Sequence, residues 1–407
     1  MKEINNVLDR RGQLIVAVLL LLVCVPVVKL GPVSASFFVG IVLFTYIASS
    51  KSRFLRVRKD LQVLLWFAFF SIISIFISPV SLDYTGLFTA LQIVYWFFLA
   101  TVFYNICSII ENKGVNRIII LSILIIGAVF MVHRPEEGGF LSENEASYIV
   151  ISAWPIGLID LTKWKRIIYS MASFVILFVI GSRTGLIIFL LQVFIFLFVE
   201  RVASKKIVVI LFIIFGGITL ISNERFREVI ADTVFPEEYE MGALIKNPEL
   251  ALQLDKSWVQ RRIQQEKCKQ VFNNHPLFGV GPLNVAKYNF NIDVSKINDV
   301  DDRILLAEYD RSTARSTHNS YYQMIAENGI SGIPLIVIFL LRTIYLLYKK
   351  RFESKTTIWV LGACIGMELN LFMVSAFWGS FTWILMGVYA GYGRQDESIK
   401  GRSQIAY

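Results

Sequence analysis

Long apolar runs alternate with short polar ones along the chain, and this pattern predicts membrane-spanning helices. The runs lie near residues 13–30, 32–50, 61–78, 86–108, 117–133, 146–162, 167–182, 185–200, 206–222, 331–348, 357–375 and 377–393. A hydrocarbon core of roughly 30 Å needs about 20 apolar residues in a helix, or 17–25 with tilt. Short alternating segments of the kind that build a barrel are absent. The first run leads directly into a second and has no small-residue cleavage pattern near Leu30, so it reads as a span and not as a cleaved leader. The predicted fold class is an all-α integral membrane protein with about 12 transmembrane helices and a large, mainly helical segment between helices 9 and 10. Residues 1–222 hold helices 1–9, residues 223–330 form an outer segment capping the bundle, residues 331–393 hold helices 10–12, and residues 394–407 are a tail.

Composition agrees: 55% of the 407 residues are apolar and 17% charged, with a mean hydropathy of +0.60. Charge then orients the spans, because cytoplasmic loops hold an excess of Lys and Arg. Alternate loops are basic, carrying for example Arg53, Arg56, Arg58 and Lys59, then Lys163, Lys165 and Arg166, then Lys349, Lys350 and Arg351. Both termini are therefore expected in the cytoplasm and residues 223–330 outside. That outer segment carries 13 Lys and Arg against 16 Asp and Glu. The net charge of +9 thus reports topology, and nucleic-acid binding, which needs a basic face on a soluble domain, is not expected. The basic loops are suited to anionic membrane lipids. Cys24, Cys107, Cys268 and Cys364 show neither a disulfide framework nor zinc spacing and read as structural.

A connection of about a hundred residues is too long to be a plain linker. This one contains Trp258, Phe272, Phe278 and Tyr288, and a helix-like run from Trp258 to Phe272 that ends in "NNHPLFGVGP". Pro276, Gly279 and Gly281 stop that helix and make a turn. The chain's three histidines, His133, His275 and His318, all map to the outer side but are scattered, with no metal-ligand spacing. His275 is expected to cap the preceding helix and His133 to sit at a membrane interface. His318, in "STHNSYYQMIAENGISGIP", follows Arg311 and Arg315, precedes Asn319, and heads a helix that runs into span ten. Two readings stand: a neutral imidazole, with an ordinary pKa of about 6.5, that accepts a hydroxyl proton, or an interfacial histidine that caps its own helix.

Arg183 in "GSRTG" occupies a very short outer hairpin, where a guanidinium either offers its fork of donors to phosphate oxygens or snorkels. "WVQRRIQQEKC" places Arg261 and Arg262 at neighbouring helix positions that cannot face the same way. Glu368 is a carboxylate within span eleven, expected to pair with an arginine or line a polar cavity; Arg342 in span ten is expected to snorkel. Asn144, in "LSENEASYIV", is placed to bond a sugar or a helix end.

Taken together, "GSRTG", "WVQRRIQQ" followed by "HPLFGVGPLN", "HNSYYQMIAENGISG" and, more weakly, "SENEASYIV" resemble the bacterial O-antigen ligase and O-antigen polymerase family. The resemblance implies a GT-C-like transferase of the bacterial inner membrane, with its active site on the periplasmic face. It implies no cofactor and no metal. The donor is a glycan on undecaprenyl diphosphate, and the acceptor is either a second lipid-linked glycan (polymerase) or lipid A core (ligase). By this likeness His318 is the base; Arg183, one of Arg261 and Arg262, and Arg315 hold the diphosphate; and Asn144, Asn319, Arg311 and Glu368 line the substrate path. The family element has one arginine before an aliphatic residue, which favours Arg262 before Ile263, whereas the distance to the Pro-Gly turn favours Arg261. The net acidic outer segment favours the polymerase over a ligase facing a phosphorylated core. A chain-length regulator is a further partner of such systems. A secondary transporter is the alternative from another class, although no repeat relates the two halves.

Overall fold

The computed structural model describes residues 8–25, 29–30, 33–50, 52–80, 84–132, 142–199, 256–288 and 318–394. Among these it is helical apart from a two-residue antiparallel pair, β1 (Lys29–Leu30) and β2 (Val33–Ser34), that turns the chain between the first two helices. The helices are α1 (Arg10–Cys24), α2 (Ala35–Ser50), α3 (Gln62–Phe76), α4 (Tyr84–Asn105), α5 (Lys113–Val132), α6 (Glu143–Gly157), α7 (Lys163–Ile180), α8 (Arg183–Val199), α9 (Lys256–Asn274), α10 (Ser320–Lys350), α11 (Lys355–Leu371) and α12 (Ser380–Arg394).

Eleven of the twelve expected spans fall on described helices; the ninth, 206–222, lies outside the described residues, and α9 is the arginine helix of the 223–330 segment. Among the described residues, four segments are long and apolar enough to cross a membrane: Lys59–Phe76, Gly86–Asn105, Lys113–Val132 and Ser320–Lys350. Shorter apolar helices include Ala35–Ser49, Thr184–Val193 and Thr356–Leu371. The chain is a multi-pass membrane protein, and its exposed large side chains fit that solvent. Trp66, Phe69 and Phe76 on α3, Leu91 and Val94 on α4, and Ile338 and Leu341 on α10 all stand at the surface, an arrangement that lipid tolerates and water penalises.

Without a hydrophobic drive between helices in lipid, close packing has to hold them, and small residues allow it. Gly387 and Gly391 do this for α12: a Cβ on either would lie 2.2 Å from the Ala100 carbonyl oxygen or 2.3 Å from that of Tyr104, so α12 meets the backbone of α4 directly. An aromatic cluster fills the space beside them. Trp96, Trp378 and Trp383 stack with centroids 5.9–6.3 Å apart, and Phe67 stacks on Trp378 at 5.8 Å.

α3 and α10 run antiparallel and are tied at both ends. At one end Asp60, just before α3, accepts from Arg342 of α10 (2.6 Å), from Arg394 at the end of α12, and from the Tyr104 hydroxyl (2.9 Å). Arg342 therefore does not snorkel as expected: a buried carboxylate, 5% exposed, holds it in place. At the other end Ser71 lies 2.6 Å from Asn328. Asn328 and Arg342 are fourteen residues apart on α10, which at 1.5 Å per residue separates the two ties by roughly 20 Å.

Candidate functional site

α10 begins at Ser320, ahead of the apolar run, in line with the expected helix that leads from His318 into span ten. It is two helices in one: Gly329 breaks it with φ 57° and ψ −160°. The short first piece carries the polar motif, and the second is the span. Asn319 caps the first piece, its Oδ1 accepting from the amides of Tyr321 (3.0 Å) and Tyr322 (3.1 Å). Capping by Asn is preferred because a short carbonyl side chain satisfies amides that have no partner within the helix. His318, immediately before the cap, adopts φ 49°, the left-handed region that few residues other than glycine occupy. Its side chain is half-buried.

Ser320 fixes this start in space. Its hydroxyl donates to the Val374 carbonyl (2.6 Å) and accepts from the amides of Ala376 (3.1 Å) and Phe377 (3.3 Å), while its own amide donates to Val374 as well (3.0 Å). The corner between α11 and α12 is thus bonded to the residue two positions after His318. One residue further, the Tyr321 hydroxyl donates to Oε2 of Glu368 (2.6 Å). Glu368 is 8% exposed, and the partner the structure gives it is a tyrosine, where the sequence suggested an arginine or a cavity.

The same corner reaches the "GSRTG" hairpin. Thr382 donates to the Ala376 carbonyl (2.6 Å) and meets the Tyr148 hydroxyl of α6 (2.7 Å). Ser147, next to Tyr148, accepts from the Ser182 hydroxyl (3.1 Å), and Ser182 also accepts from the Gly185 amide to open α8. Gly181 ends α7 in the left-handed conformation at φ 79°, so the turn is two residues long. Arg183 is the first residue of α8. Hydrogen bonds and adjacent residues thus connect the His318 segment to the Arg183 hairpin at one end of the bundle.

The glycine turn after α9 is locked to the break in α10. Val280 and Gly281 donate their amides to the carbonyls of Ala326 (3.1 Å) and Glu327 (2.9 Å), and in return Ile330 and Ser331 donate to Pro276 (2.8 Å) and Leu277 (3.0 Å). A Cβ on Gly279 would sit 2.3 Å from the Ala326 oxygen, and one on Gly329 would sit 2.6 Å from the Leu277 backbone, so both glycines are needed for the approach. α3 closes the junction. Ser74 lies against the carbonyls of Phe278 and Glu327, and Ser78 donates to Val280 (2.5 Å). Glu327, fully buried, accepts from Gln323 Nε2 (3.0 Å) and Trp378 Nε1 (2.6 Å). A small second core of Cys268, Val271, Val280, Val285 and Ala326 holds α9 to α10. Lys267 is drawn into that contact, donating to the Ala286 carbonyl (3.2 Å), and burial holds its amine below the usual ammonium range.

Of the residues singled out from the sequence, His318, Asn319 and, through Tyr321, Glu368 gather at the start of α10. Asn144 stands in the first turn of α6, half-buried, its carbonyl accepting from Ser147 (3.0 Å); Ser142 is the cap of that helix. Arg261 and Arg262 lie on α9, Arg261 half-buried. Arg311, Arg315 and His133 lie outside the described residues. His275 follows α9 without capping it by its side chain; its ring packs edge-on against Tyr288 at 5.7 Å. The sequence reading passed over Ser320, Glu327 and Trp378. It also passed over a visible stripe at helical spacing, Ser71 and Ser74 on one face of α3 and Ser78 just beyond its end.

Residues 168–337 match the family model described as O-antigen ligase. That segment, 170 of the 407 residues, is similar to the O-antigen ligase family. It contains Arg183, Arg261, Arg262, Arg311, Arg315, His318 and Asn319, together with both halves of the glycine junction; Asn144 and Glu368 fall outside it. No curated protein matches the chain.

Proposed function

We propose that the protein is a membrane glycosyltransferase that moves a glycan from undecaprenyl diphosphate to an acceptor hydroxyl at the periplasmic face of a bacterial inner membrane. The observation that carries the reading is the hydrogen-bonded connection from Ser320 through Ala376, Thr382 and Tyr148 to Ser147 and Ser182, which brings the His318 and Arg183 motifs to one end of the bundle. The family match over residues 168–337 supports the reaction class.

In this mechanism the acceptor oxygen attacks the anomeric carbon from the face opposite the diphosphate. The new glycosidic bond forms as the bond to the diphosphate oxygen breaks, so the configuration inverts, and undecaprenyl diphosphate leaves with the electron pair. His318 takes the hydroxyl proton, a role worth typically 10²–10⁴-fold. Arg183, Arg315 and one of Arg261 and Arg262 bind the charge that builds on the leaving group; prearranged donors in a water-poor site make this the larger contribution. Asn144, Arg311, Asn319 and Glu368 line the substrate path, Asn319 and Glu368 also by fixing the start of α10. The left-handed backbone at His318 supports the assignment, because strained conformations gather where a side chain has to be aimed.

The acceptor we favour is a second lipid-linked glycan, making the protein a polymerase, because the 223–330 segment is net acidic and poorly suited to a phosphorylated core. The family description, O-antigen ligase, favours lipid A core as the second reading. Purified protein incubated with lipid-linked glycan and each acceptor separately gives a product ladder for the polymerase and a single shift for the ligase. In the same assay His318→Ala should abolish transfer while leaving the protein inserted and folded; full activity would remove His318 from the mechanism.

A further inference from the structure

The end of the bundle opposite His318 holds a cleft that the transfer reaction does not use. It has a volume of about 590 Å³ and is lined by Arg56, Arg58, Lys59 and Arg394 around Tyr104 and Asn105. Among the described residues Asp60 is the only carboxylate in that lining, and it is already committed to Arg342, Arg394 and Tyr104. Arg56, Arg58 and Lys59 are exposed and precede α3, so their positive charge faces outward from a wall that is fixed. The fixing is done by Asn105, whose Nδ2 lies within 3.0 Å of the carbonyls of Phe54, Arg56 and Thr101 and so holds the loop ahead of α3 against α4. A loop set in place before the ligand arrives loses little freedom on binding it.

We propose that this cleft binds the phosphate of an anionic membrane lipid. The charge calls for an anion, and guanidinium forks suit phosphate oxygens. The surroundings call for a lipid: Leu65 and Trp66 near the start of α3, and Leu341 and Tyr345 on the facing part of α10, are exposed by 41–62%. Apolar surface therefore begins where the basic rim ends, and aromatic side chains stand at the level expected of a membrane interface. A headgroup in the cleft would leave its acyl chains along α3 and α10. A free phosphate would use the cations and leave that apolar flank idle.

The test uses the full-length protein in detergent, with binding read by native mass spectrometry and by the shift in Tm. The probes are a short-chain phosphatidylglycerol, a phosphatidylcholine with the same chains, and inorganic phosphate. Phosphatidylglycerol should bind and raise Tm, phosphatidylcholine should bind at least tenfold more weakly, and equimolar inorganic phosphate should not displace the lipid. The variant Arg56→Gln/Arg58→Gln/Lys59→Gln should lose affinity by about fivefold per charge, on the order of 100-fold in all. None of the three residues pairs with Asp60, and the single variant Arg58→Gln, with a loss of about fivefold, serves if the triple variant does not fold. Unchanged phosphatidylglycerol binding in the variants, equal binding of the two lipids, or displacement by equimolar phosphate would each overturn the proposal, the last by assigning the cleft to a soluble anion.

Discussion

The Ser320 hydroxyl donates to the carbonyl of Val374 at 2.6 Å, and through that hydroxyl the residue beside the histidine motif is joined to the corner between α11 and α12. Ser320→Ala removes the donor and strands the buried amide of Phe377, which costs roughly 1–3 kcal/mol. The start of α10 should loosen with it. Thermal unfolding should shift down, and transfer by the folded fraction should fall, whereas Ser320→Thr, which keeps the hydroxyl, should recover part of both.

Gly279 and Gly329 each hold a positive φ against a neighbouring backbone. Alanine at either site combines a left-handed conformation, at roughly 1–2 kcal/mol, with overpacking of typically 1–3 kcal/mol. Gly279→Ala and Gly329→Ala should each lower stability by about 2–4 kcal/mol in reversible unfolding, and the double variant should cost less than the sum because both break one junction.

Glu327 is buried with donors converging on both of its oxygens. Glu327→Gln turns an amide group toward Trp378 Nε1 or Gln323 Nε2 and should cost about 1–3 kcal/mol. The indole is the reporter: Trp378 fluorescence should change in Glu327→Gln relative to the unaltered protein, and an identical spectrum would mean that the contact does not form.

Asp60→Asn removes the charge that holds Arg342 and Arg394. Breaking a buried pair by deleting one partner costs about 3–5 kcal/mol, but the two guanidinium groups are 47% and 37% exposed, so water shields much of this and the expected loss is nearer 1–3 kcal/mol. Melting at low and high salt measures it, and the difference between unaltered protein and variant should shrink as salt rises.

Cys268 sits in the small core between α9 and α10, where burial pushes its thiol up to about 12. At pH 8 the thiol is protonated and shielded, so a maleimide should leave it unlabelled in the folded protein and label it after denaturation. Labelling under native conditions would show that α9 separates from α10.

Hydropathy made most of the helices legible, because a helix that faces lipid must be apolar along its whole length. The motifs likewise marked the His318, Arg183 and glycine segments. What stayed hidden were pairings between distant segments: nothing local to Ser320 tells that its partners are Val374, Ala376 and Phe377, and Glu368 met a tyrosine in place of the expected arginine. The helix leading from His318 into span ten was legible as well, but the break at Gly329 inside it was not, because hydropathy does not register a helix that ends at a glycine and resumes as a span. Asn319 and the serines at 71, 74 and 78 carried signals in their positions, one as a cap and the others as a polar stripe.

That stripe bears on how the protein is made. Ser74 and Ser71 find partners 204 and 257 residues further along the chain, so at about 5–20 residues per second a ribosome needs roughly 10–50 s to deliver them. During that time α3 must wait in the bilayer with hydroxyls turned back on its own backbone, as the 2.8 Å approach of Ser71 to the Phe67 carbonyl permits. The junction of α3 with the glycine turn and the start of α10 therefore forms late, and a nascent chain halted before residue 330 would carry an inserted α3 without it.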